Sequence, residues 1–284
     1  MMNAAVIGLG AMGSRIAERL ARTGHDIVVW SRSSTVEIPG ARLASSPADA
    51  ARGADVVITM VSDGEALRAV TSGPDGMYAG VGAGTTVIQM STVDAETTRW
   101  LSRSLPAGTL MLDAPVLGSV AEATAGELVL LVSGEDDVVA DCEPVLRALG
   151  TVHRVGGIGT GTAAKLVANS ALFGVIGVLG ECLVLARSLG LSDDAAFEVM
   201  DHTPLAAQAR RRRPAIADGE YTPRFALDMA LKDAGLVALA AQAYGIDLRL
   251  AEAMRTWLSD ASDKGLGDRD YTAVLAHIGV DRPK

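Results

Sequence analysis

The sequence is poor in the residues that bind metals and form disulfides. Its 284 residues include two cysteines and four histidines. Cys142 and Cys182 lie far apart and the histidines form no cluster, so neither residue type shows the spacing of a metal site. Two such cysteines also make no disulfide framework. We therefore expect a reduced, cytoplasmic setting and no bound metal.

Aromatic residues and positive charge are scarce as well. Phe, Tyr and Trp make up 4% of the chain, and 34 acidic residues against 25 basic ones give a formal net charge of −9. A nucleic-acid partner is not expected, because a polyanion gains little from such a surface. Small and aliphatic residues supply most of the bulk instead, and this composition suits closely packed α/β layers and helix bundles.

The first 158 residues alternate short apolar runs with helical stretches. Candidate strands cover residues 4–7, 27–30, 56–60, 86–89, 110–113, 128–133 and 152–155. Helical stretches between them include residues 14–23, 46–52 and 95–104. Buried apolar strands that alternate with helices predict a doubly wound parallel sheet, so we assign residues 1–158 to an α/β domain of the Rossmann type.

Beyond the glycine-rich segment 156–161 the pattern is helical, which predicts an all-α domain over residues 159–284. Later helices are expected at residues 193–201, 206–217, 226–244, 247–263 and 272–278. The first helix, residues 162–188, is long and apolar enough for a membrane span, but Asn169, Ser170 and Glu181 interrupt it. We expect no membrane contact, and a homodimer or homotetramer in which a second subunit covers part of this helix.

A glycine motif follows the first strand and opens a helix. It reads Gly8-Leu9-Gly10-Ala11-Met12-Gly13, the G-x-G-x-x-G pattern of dinucleotide sites. Gly8 permits a tight turn, Gly10 lets the backbone approach a diphosphate, and Gly13 lets helix and strand pack closely. The N-terminus of the helix then offers free N–H groups to the phosphates. The alternative is a glycine-rich turn that binds no nucleotide.

The end of the second strand indicates which cofactor is used. An NAD site usually has Asp or Glu there to bind the ribose hydroxyls, whereas this strand ends in Ser31, Arg32 and Ser33. Arg32 can pair with a 2′-phosphate and the two serines can add hydroxyl donors. This favours NADP (NADPH) over NAD. The alternative is that Arg32 is an ordinary surface residue, with Glu37 as the only nearby acid.

Four motifs in order resemble those of the β-hydroxyacid dehydrogenases, which include 3-hydroxyisobutyrate dehydrogenase and the glyoxylate/succinic semialdehyde reductases. Residues 8–13 are similar to the GLGxMG opening of this family. Residues 113–119, which read DAPVLGS, are similar to its DAPVSGG or DAPVSGS substrate loop. Residues 159–169 resemble GxGxxxKxxxN, and residues 231–233 resemble the LKD motif. The resemblance extends over nearly the whole chain.

The resemblance implies hydride transfer between NAD(P) and a small 3-hydroxy acid or semialdehyde acid, in a dimer or tetramer built on the long helix. Met60, Val61 and Thr92 are expected along the cofactor. The residues expected to contact substrate are Leu117, Gly118, Ser119, Lys232 and Asp233, with Lys232 also near the nicotinamide.

Leu117 is the one departure, because the family usually has a serine at this position of the loop. The amides of Gly118 and Ser119 and the hydroxyl of Ser119 can still face an anion. Two interpretations stay open: either the lost donor changes the size or polarity of the substrate, or Leu117 packs while the backbone binds.

Lys165 and Asn169 are the expected catalytic pair. Reduction of a carbonyl leaves an alkoxide, and a lysine ammonium beside it can donate the proton and stabilise the charge. The two residues are four apart, so they share a helix face, and Asn169 can orient the lysine or hold the substrate oxygen. The alternatives are a solvated lysine at position 165 and a surface ion pair at Lys232 and Asp233.

Two other functions remain open. One is an imine reductase on the same scaffold, which Lys165 disfavours and Leu117 permits. The other is an NADP-binding sensor without catalysis, which the presence of both Lys165 and Asn169 disfavours. Arg210 to Arg213 form the densest basic run, but four consecutive residues go round a helix and cannot all face one ligand.

Overall fold

The protein is represented by a computed structural model that describes residues 1–33 and 36–280. The chain divides into two compact units, Met1–Lys165 and Leu166–Lys284.

The first unit is an α/β domain. Its strands are β1 (Asn3–Ile7), β2 (Asp26–Trp30), β3 (Ala41–Leu43), β4 (Val56–Thr59), β5 (Thr86–Gln89), β6 (Leu110–Asp113), β7 (Val116–Leu117), β8 (Leu128–Ser133) and β9 (Gly150–Gly156). Its helices are α1 (Ala11–Arg22), α2 (Pro47–Ala51), α3 (Gly64–Thr71), α4 (Ala95–Ser104), α5 (Val120–Ala125), α6 (Asp136–Asp141) and α7 (Glu143–Leu149). The predicted α/β class is confirmed.

Among the described residues these strands form one sheet, in the order β3-β2-β1-β4-β5-β6-β8-β7, with β9 beside β8. The pairs from β3 to β6 are parallel, as predicted, whereas β8 runs antiparallel to β6 and β7. The predicted doubly wound parallel sheet is confirmed, with antiparallel pairs at one edge. The connection from β7 to β8, residues 118–127, is shorter than the dozen or so residues that a parallel crossover needs.

Helices cover both faces of this sheet. Successive residues of β1 alternate between two apolar cores: Ala4 and Val6 lie in one, while Ala5 and Ile7 lie in the other. All four side chains are at most 1% exposed. A strand buried on both faces reads as a continuous apolar run, which explains why β1 is recognisable from sequence.

The strand register brings several loops to one edge of the sheet. Ile7 pairs with both Trp30 and Thr59, Thr59 pairs with Gln89, and Gln89 pairs with Asp113. These five residues end β1, β2, β4, β5 and β6. The segments that follow them therefore leave the sheet side by side, at the carboxyl edge where α/β proteins bind ligands.

The second unit is helical. Its helices are α8 (Thr160–Ser188), which begins in the first unit, α9 (Asp193–Asp201), α10 (Ala206–Asp218), α11 (Leu227–Ala243), α12 (Arg249–Ala261) and α13 (Val274–Ile278). Over residues 166–280 we find no strand, and the predicted all-α class is confirmed. Phe173, Ile176, Leu179 and Leu183 extend along one face of α8 into the core of this unit.

Helix α8 is long and apolar enough, by length and composition, to cross a membrane. In its most apolar stretch of 18 residues, 44% of the residues are buried inside the protein. Length and composition alone are weak evidence for a membrane span, because the central helix of a helical domain passes the same test.

Candidate active site

The first glycine turn, residues 8–13, is shaped by close backbone contacts. Gly8 has φ +106°, and a Cβ there would stand 2.2 Å from the carbonyl oxygen of Met60. A Cβ on Gly13 would stand 1.9 Å from the carbonyl oxygen of Gly8. These two positions therefore require glycine for the fold itself. Gly10 differs, because a Cβ there would meet nothing within 4 Å.

The start of α1 fits the diphosphate of a dinucleotide. Gly10 is the N-cap of the helix and provides no side-chain hydrogen bond, and the first turn contains no acidic residue. Among the described residues, no atom lies within 4 Å of the place that a Cβ on Gly10 would take, so the backbone is open to approach there. Exposed N–H groups and the positive end of the helix dipole favour an anion at this point.

The end of β2 lies beside this turn. The N–H of Gly8 donates to the carbonyl of Trp30 at 2.8 Å, so Ser31, Arg32 and Ser33 leave the sheet next to Gly8. Arg32 and Ser33 are exposed and Ser31 is half-buried. Among the described residues, Arg32 is in none of the ion pairs.

Met60 and Val61 also lie at the first glycine turn. A Cβ on Gly8 would stand 3.1 Å from a methyl carbon of Val61. The N–H of Val61 donates to Oγ of Ser91 at 2.9 Å, which ties the loop after β4 to the loop after β5. Thr92, the next residue, is half-buried on that second loop. The carboxyl edge thus brings together the residues predicted to line the cofactor.

Lys165 is hydrogen-bonded to the loop that the sequence assigns to substrate. Its Nζ donates to the carbonyl oxygen of Val116 at 2.8 Å, and its side chain is half-buried. The next residue, Leu117, pairs with Val129 in the adjacent strand β8. The Nζ of Lys165 is therefore held within the first unit, at the residue that precedes Leu117.

Ser119 is bound to an acid within the loop. Its N–H and its hydroxyl both donate to Oε2 of Glu122, at 2.7 and 2.6 Å. These donors were predicted to face a substrate carboxylate, and Glu122 was not among the predicted site residues. A signal was present, because Ser119-x-x-Glu122 is the capping-box pattern at the start of a helix.

The second glycine turn, residues 156–161, joins β9 to α8 and is closed by Asp113. The carboxylate of Asp113 accepts from the N–H and the Oγ1 of Thr162, at 2.8 and 2.9 Å. A Cβ on Gly161 would stand 2.5 Å from the carbonyl oxygen of Asp113, so this helix can approach the sheet only with glycine there. No local sequence pattern indicates this role of Asp113, because Thr162 lies 49 residues away.

Burial dominates the electrostatics of Asp113. Its side chain is fully buried, and this raises the pKa of the carboxyl above its usual value, although Thr162 and Ser133 donate hydrogen bonds to it. The carboxyl lies at the N-terminus of α8, where the helix dipole also favours an anion. Asp113 therefore anchors the helix turn that precedes Lys165.

Three of the predicted residues meet in the second unit. Asn169 is 2% exposed, and its Nδ2 donates to Oδ2 of Asp233 at 2.9 Å. Nζ of Lys232 lies 2.7 Å from Oδ1 of the same carboxylate. Asp233 is itself 3% exposed and thus holds both neighbours in place. Asn169 lies four residues after Lys165 on α8, so the two residues share a face of the helix.

The arginine run lies on α10, and its members diverge. Arg210 pairs with Asp201 and Arg213 pairs with Asp194, both at the surface. Arg212 is buried and donates to the hydroxyl of Tyr271 at 2.7 Å. These contacts leave the run without a common face for a ligand.

Family models match nearly the whole chain. Residues 3–159 match the model described as the NAD binding domain of 6-phosphogluconate dehydrogenase. Residues 159–278 match the model described as the NAD-binding domain of NADP-dependent 3-hydroxyisobutyrate dehydrogenase. The second match includes the whole of α8.

Curated and solved relatives cover both units. A 3-sulfolactaldehyde reductase of Escherichia coli (strain K12) is 33% identical over 97% of this chain and 95% of its own length. An L-threonate dehydrogenase of Cupriavidus necator is 35% identical, over 99% and 98%. The solved structure of Mycobacterium tuberculosis 3-hydroxyisobutyrate dehydrogenase with L-serine is 29% identical and covers 98% of this chain and 99% of that one, with a TM-score of 0.88.

Proposed function

The chain belongs to the β-hydroxyacid dehydrogenase family and is an NAD(P)-dependent oxidoreductase by that membership, and we propose that it transfers a hydride between NADP(H) and a small 3-hydroxy acid, or the corresponding semialdehyde or 2-oxo acid. We propose Lys165 as its general acid and base. The observation that supports this most strongly is the hydrogen bond from Nζ of Lys165 to Val116, because it holds an ammonium at the substrate loop.

In this proposal the first unit binds the cofactor through its backbone. A nicotinamide dinucleotide supplies the hydride when it is bound. The N–H groups at the start of α1 bind its diphosphate, and Gly10 leaves room for that approach. Met60, Val61 and Thr92 line the same edge of the sheet.

Lys165 moves the proton. The carbonyl of Val116 fixes Nζ of Lys165, so the ammonium is oriented before a substrate arrives. Donation of a proton from Nζ neutralises the alkoxide that reduction leaves, and in oxidation the same nitrogen accepts the proton. Asp233 holds one N–H of the Asn169 amide, which leaves the amide oxygen of Asn169 in a defined orientation for a polar partner.

Preference for NADPH rests on Arg32. A charge-assisted hydrogen bond to a 2′-phosphate contributes about 1.5–3 kcal/mol, or roughly tenfold or more in affinity. Arg32→Ala should therefore lower kcat/KM for NADPH by at least about tenfold and leave the value for NADH nearly unchanged. Arg52→Ala is the matched control, because Arg52 is also exposed and lies at the end of α2. Equal efficiency of the wild type with NADPH and NADH would contradict the preference.

A substrate panel tests the reaction itself. Wild-type protein is mixed with semialdehyde acids, glyoxylate, 3-hydroxy acids and cyclic imines, and the nicotinamide absorbance is followed with each cofactor. The proposal expects turnover of an aldehyde or 2-oxo acid in one direction and of a 3-hydroxy acid in the other. Turnover of cyclic imines alone would favour an imine reductase. Cofactor binding without any turnover would favour a sensor.

We also propose a homodimer or homotetramer built on α8. This helix exposes Val167, Val178 and Leu185, which are 72%, 37% and 58% accessible. Apolar side chains of this size on one helix favour cover by a second copy of the chain. Light scattering at micromolar concentration should give at least twice the mass of one chain, and a monomer would contradict the proposal.

A further inference from the structure

One carboxylate of the protein already occupies the two donors of Ser119 in the substrate loop. Oε2 of Glu122 accepts from both the N–H and the hydroxyl of Ser119, at 2.7 and 2.6 Å. Leu117, two residues earlier, has no side-chain donor, and the ammonium of Lys165 is hydrogen-bonded to Val116. Any substrate carboxylate that uses Ser119 must therefore displace Glu122.

A second carboxylate is unfavourable at this position for two reasons. Hydrogen bonds to an ionised acceptor are stronger than neutral ones. Breaking the two hydrogen bonds between Ser119 and Glu122 therefore costs free energy that a substrate carboxylate must offset. A carboxylate brought close to Glu122 also meets a like charge, which opposes binding. A primary amide or a hydroxyl meets neither obstacle, because it is uncharged and can donate a hydrogen bond to Glu122 where a carboxylate cannot.

We propose that Glu122 is a specificity-determining residue, which makes the enzyme prefer carbonyl substrates with an uncharged, hydrogen-bond-donating group at the non-reacting end over the matching carboxylates. The inference rests on the proposed function, because it concerns the substrate loop of that reaction. Acids remain substrates, since the side chain of Glu122 can leave Ser119, but they bind less tightly than their amides.

The competing interpretation is that Glu122 only caps α5, and two variants separate the two roles. Glu122→Gln keeps an oxygen that can accept from Ser119 but removes the charge. Glu122→Ala removes both the charge and the acceptor. Glu127→Gln is the matched control, because Glu127 is an exposed acid just beyond the same helix. A capping role predicts that Glu122→Ala impairs every substrate equally.

The test compares succinic semialdehyde with its primary amide, which differ only at the end remote from the aldehyde. Wild type should favour the amide in kcat/KM. We expect Glu122→Ala to shift the ratio at least about tenfold toward the acid, which corresponds to the loss of one interaction with a charged group. Glu122→Gln should shift the ratio in the same direction by less. Both changes should appear in KM rather than kcat, and Glu127→Gln should leave the ratio unchanged.

A binding measurement makes the test independent of turnover. Calorimetry on wild type and the three variants with butyrate and with butyramide, which differ only in one acid or amide group, should show the same shift toward the anion on loss of Glu122. If that shift occurs while neither aldehyde is turned over, the inference stands and the proposed function fails. If the aldehydes are turned over while both the ratio and the relative binding stay at wild-type values, the inference is overturned. A higher KM for the acid in both Glu122 variants would also overturn it, because Glu122 would then be positioning Ser119 for the acid.

Discussion

The two glycine-rich turns of the first unit look alike in sequence and differ in electrostatics. Residues 8–13 join β1 to α1, and residues 156–161 join β9 to α8. At α1 the first turn of the helix contains no acid, and Gly10 faces open space. At α8 the N–H of Thr162 is bound by the buried carboxylate of Asp113, and the N–H of Gly161 donates to Ser133.

The difference separates two tasks. A helix start that lacks an internal anion is free to bind one from outside, which suits a cofactor diphosphate. The start of α8 is hydrogen-bonded to Asp113 and is thereby anchored to the sheet. This anchoring suits the positioning of Lys165, which lies one turn further along the helix. The first turn should therefore determine cofactor affinity, and the second should determine the position of Lys165.

The largest effect is expected at Lys165. Lys165→Ala should lower kcat about 10²–10⁴-fold, because a positioned acid or base contributes that much, and should leave NADPH affinity nearly unchanged. Lys165→Arg should also fail, since a guanidinium does not readily release a proton. The measurements are kcat on the best substrate and NADPH binding by fluorescence. More than about a third of the wild-type kcat in Lys165→Ala would refute proton transfer by this lysine.

The next effect concerns two helical glycines, one at each turn, whose Cβ positions are blocked by backbone atoms. Gly13→Ala and Gly161→Ala place a Cβ 1.9 and 2.5 Å from a carbonyl oxygen, so each should lower the free energy of unfolding by about 1–3 kcal/mol. The clash must outweigh the better helix propensity of alanine. Gly82→Ala is the control, because a Cβ there meets nothing within 4 Å. Chemical denaturation measures all three, and wild-type stability in either helix variant would show that the turns are more pliable than their contacts indicate.

A smaller, pH-dependent effect is expected at Asp113. Burial raises the pKa of this carboxyl in the folded state, so the folded protein retains a proton that the unfolded chain has lost. The free energy of unfolding therefore falls as the pH rises from the usual aspartate range through the raised pKa. Asp113→Asn has no proton to lose, so its stability relative to wild type should improve as the pH rises. Urea denaturation of both proteins at about pH 4 and pH 7 measures this, and a stability difference that is the same at both values would contradict it.

The sequence was sufficient where the signal is local and strong. The apolar runs at β5, β6 and β8 predict those strands with the bounds that the structure shows, because both faces of each are buried. Strand β3 was missed because its three residues are mostly exposed, and β7 because it has only two residues. Neither is long enough to show a period.

The site was predictable in its residues and less so in its contacts. The carboxyl-edge cluster follows from the glycine motif and the order of strands. The anchoring of α8 by Asp113 joins residues 49 apart, and no local pattern predicts such a contact. The bond between Ser119 and Glu122 is local and could have been read from its capping-box spacing.

Gly10 is the residue whose proposed role, room for the cofactor diphosphate, one titration tests most directly. Gly10→Ala and Gly157→Ala each add a methyl group that meets nothing within 4 Å of protein, one in each glycine-rich turn. Both variants should fold with nearly wild-type stability. NADPH binding, followed by fluorescence, should be weakened at least about tenfold in Gly10→Ala, equivalent to about 1.4 kcal/mol, and unchanged in Gly157→Ala. Wild-type NADPH affinity in Gly10→Ala would contradict the assignment of the first turn to the cofactor.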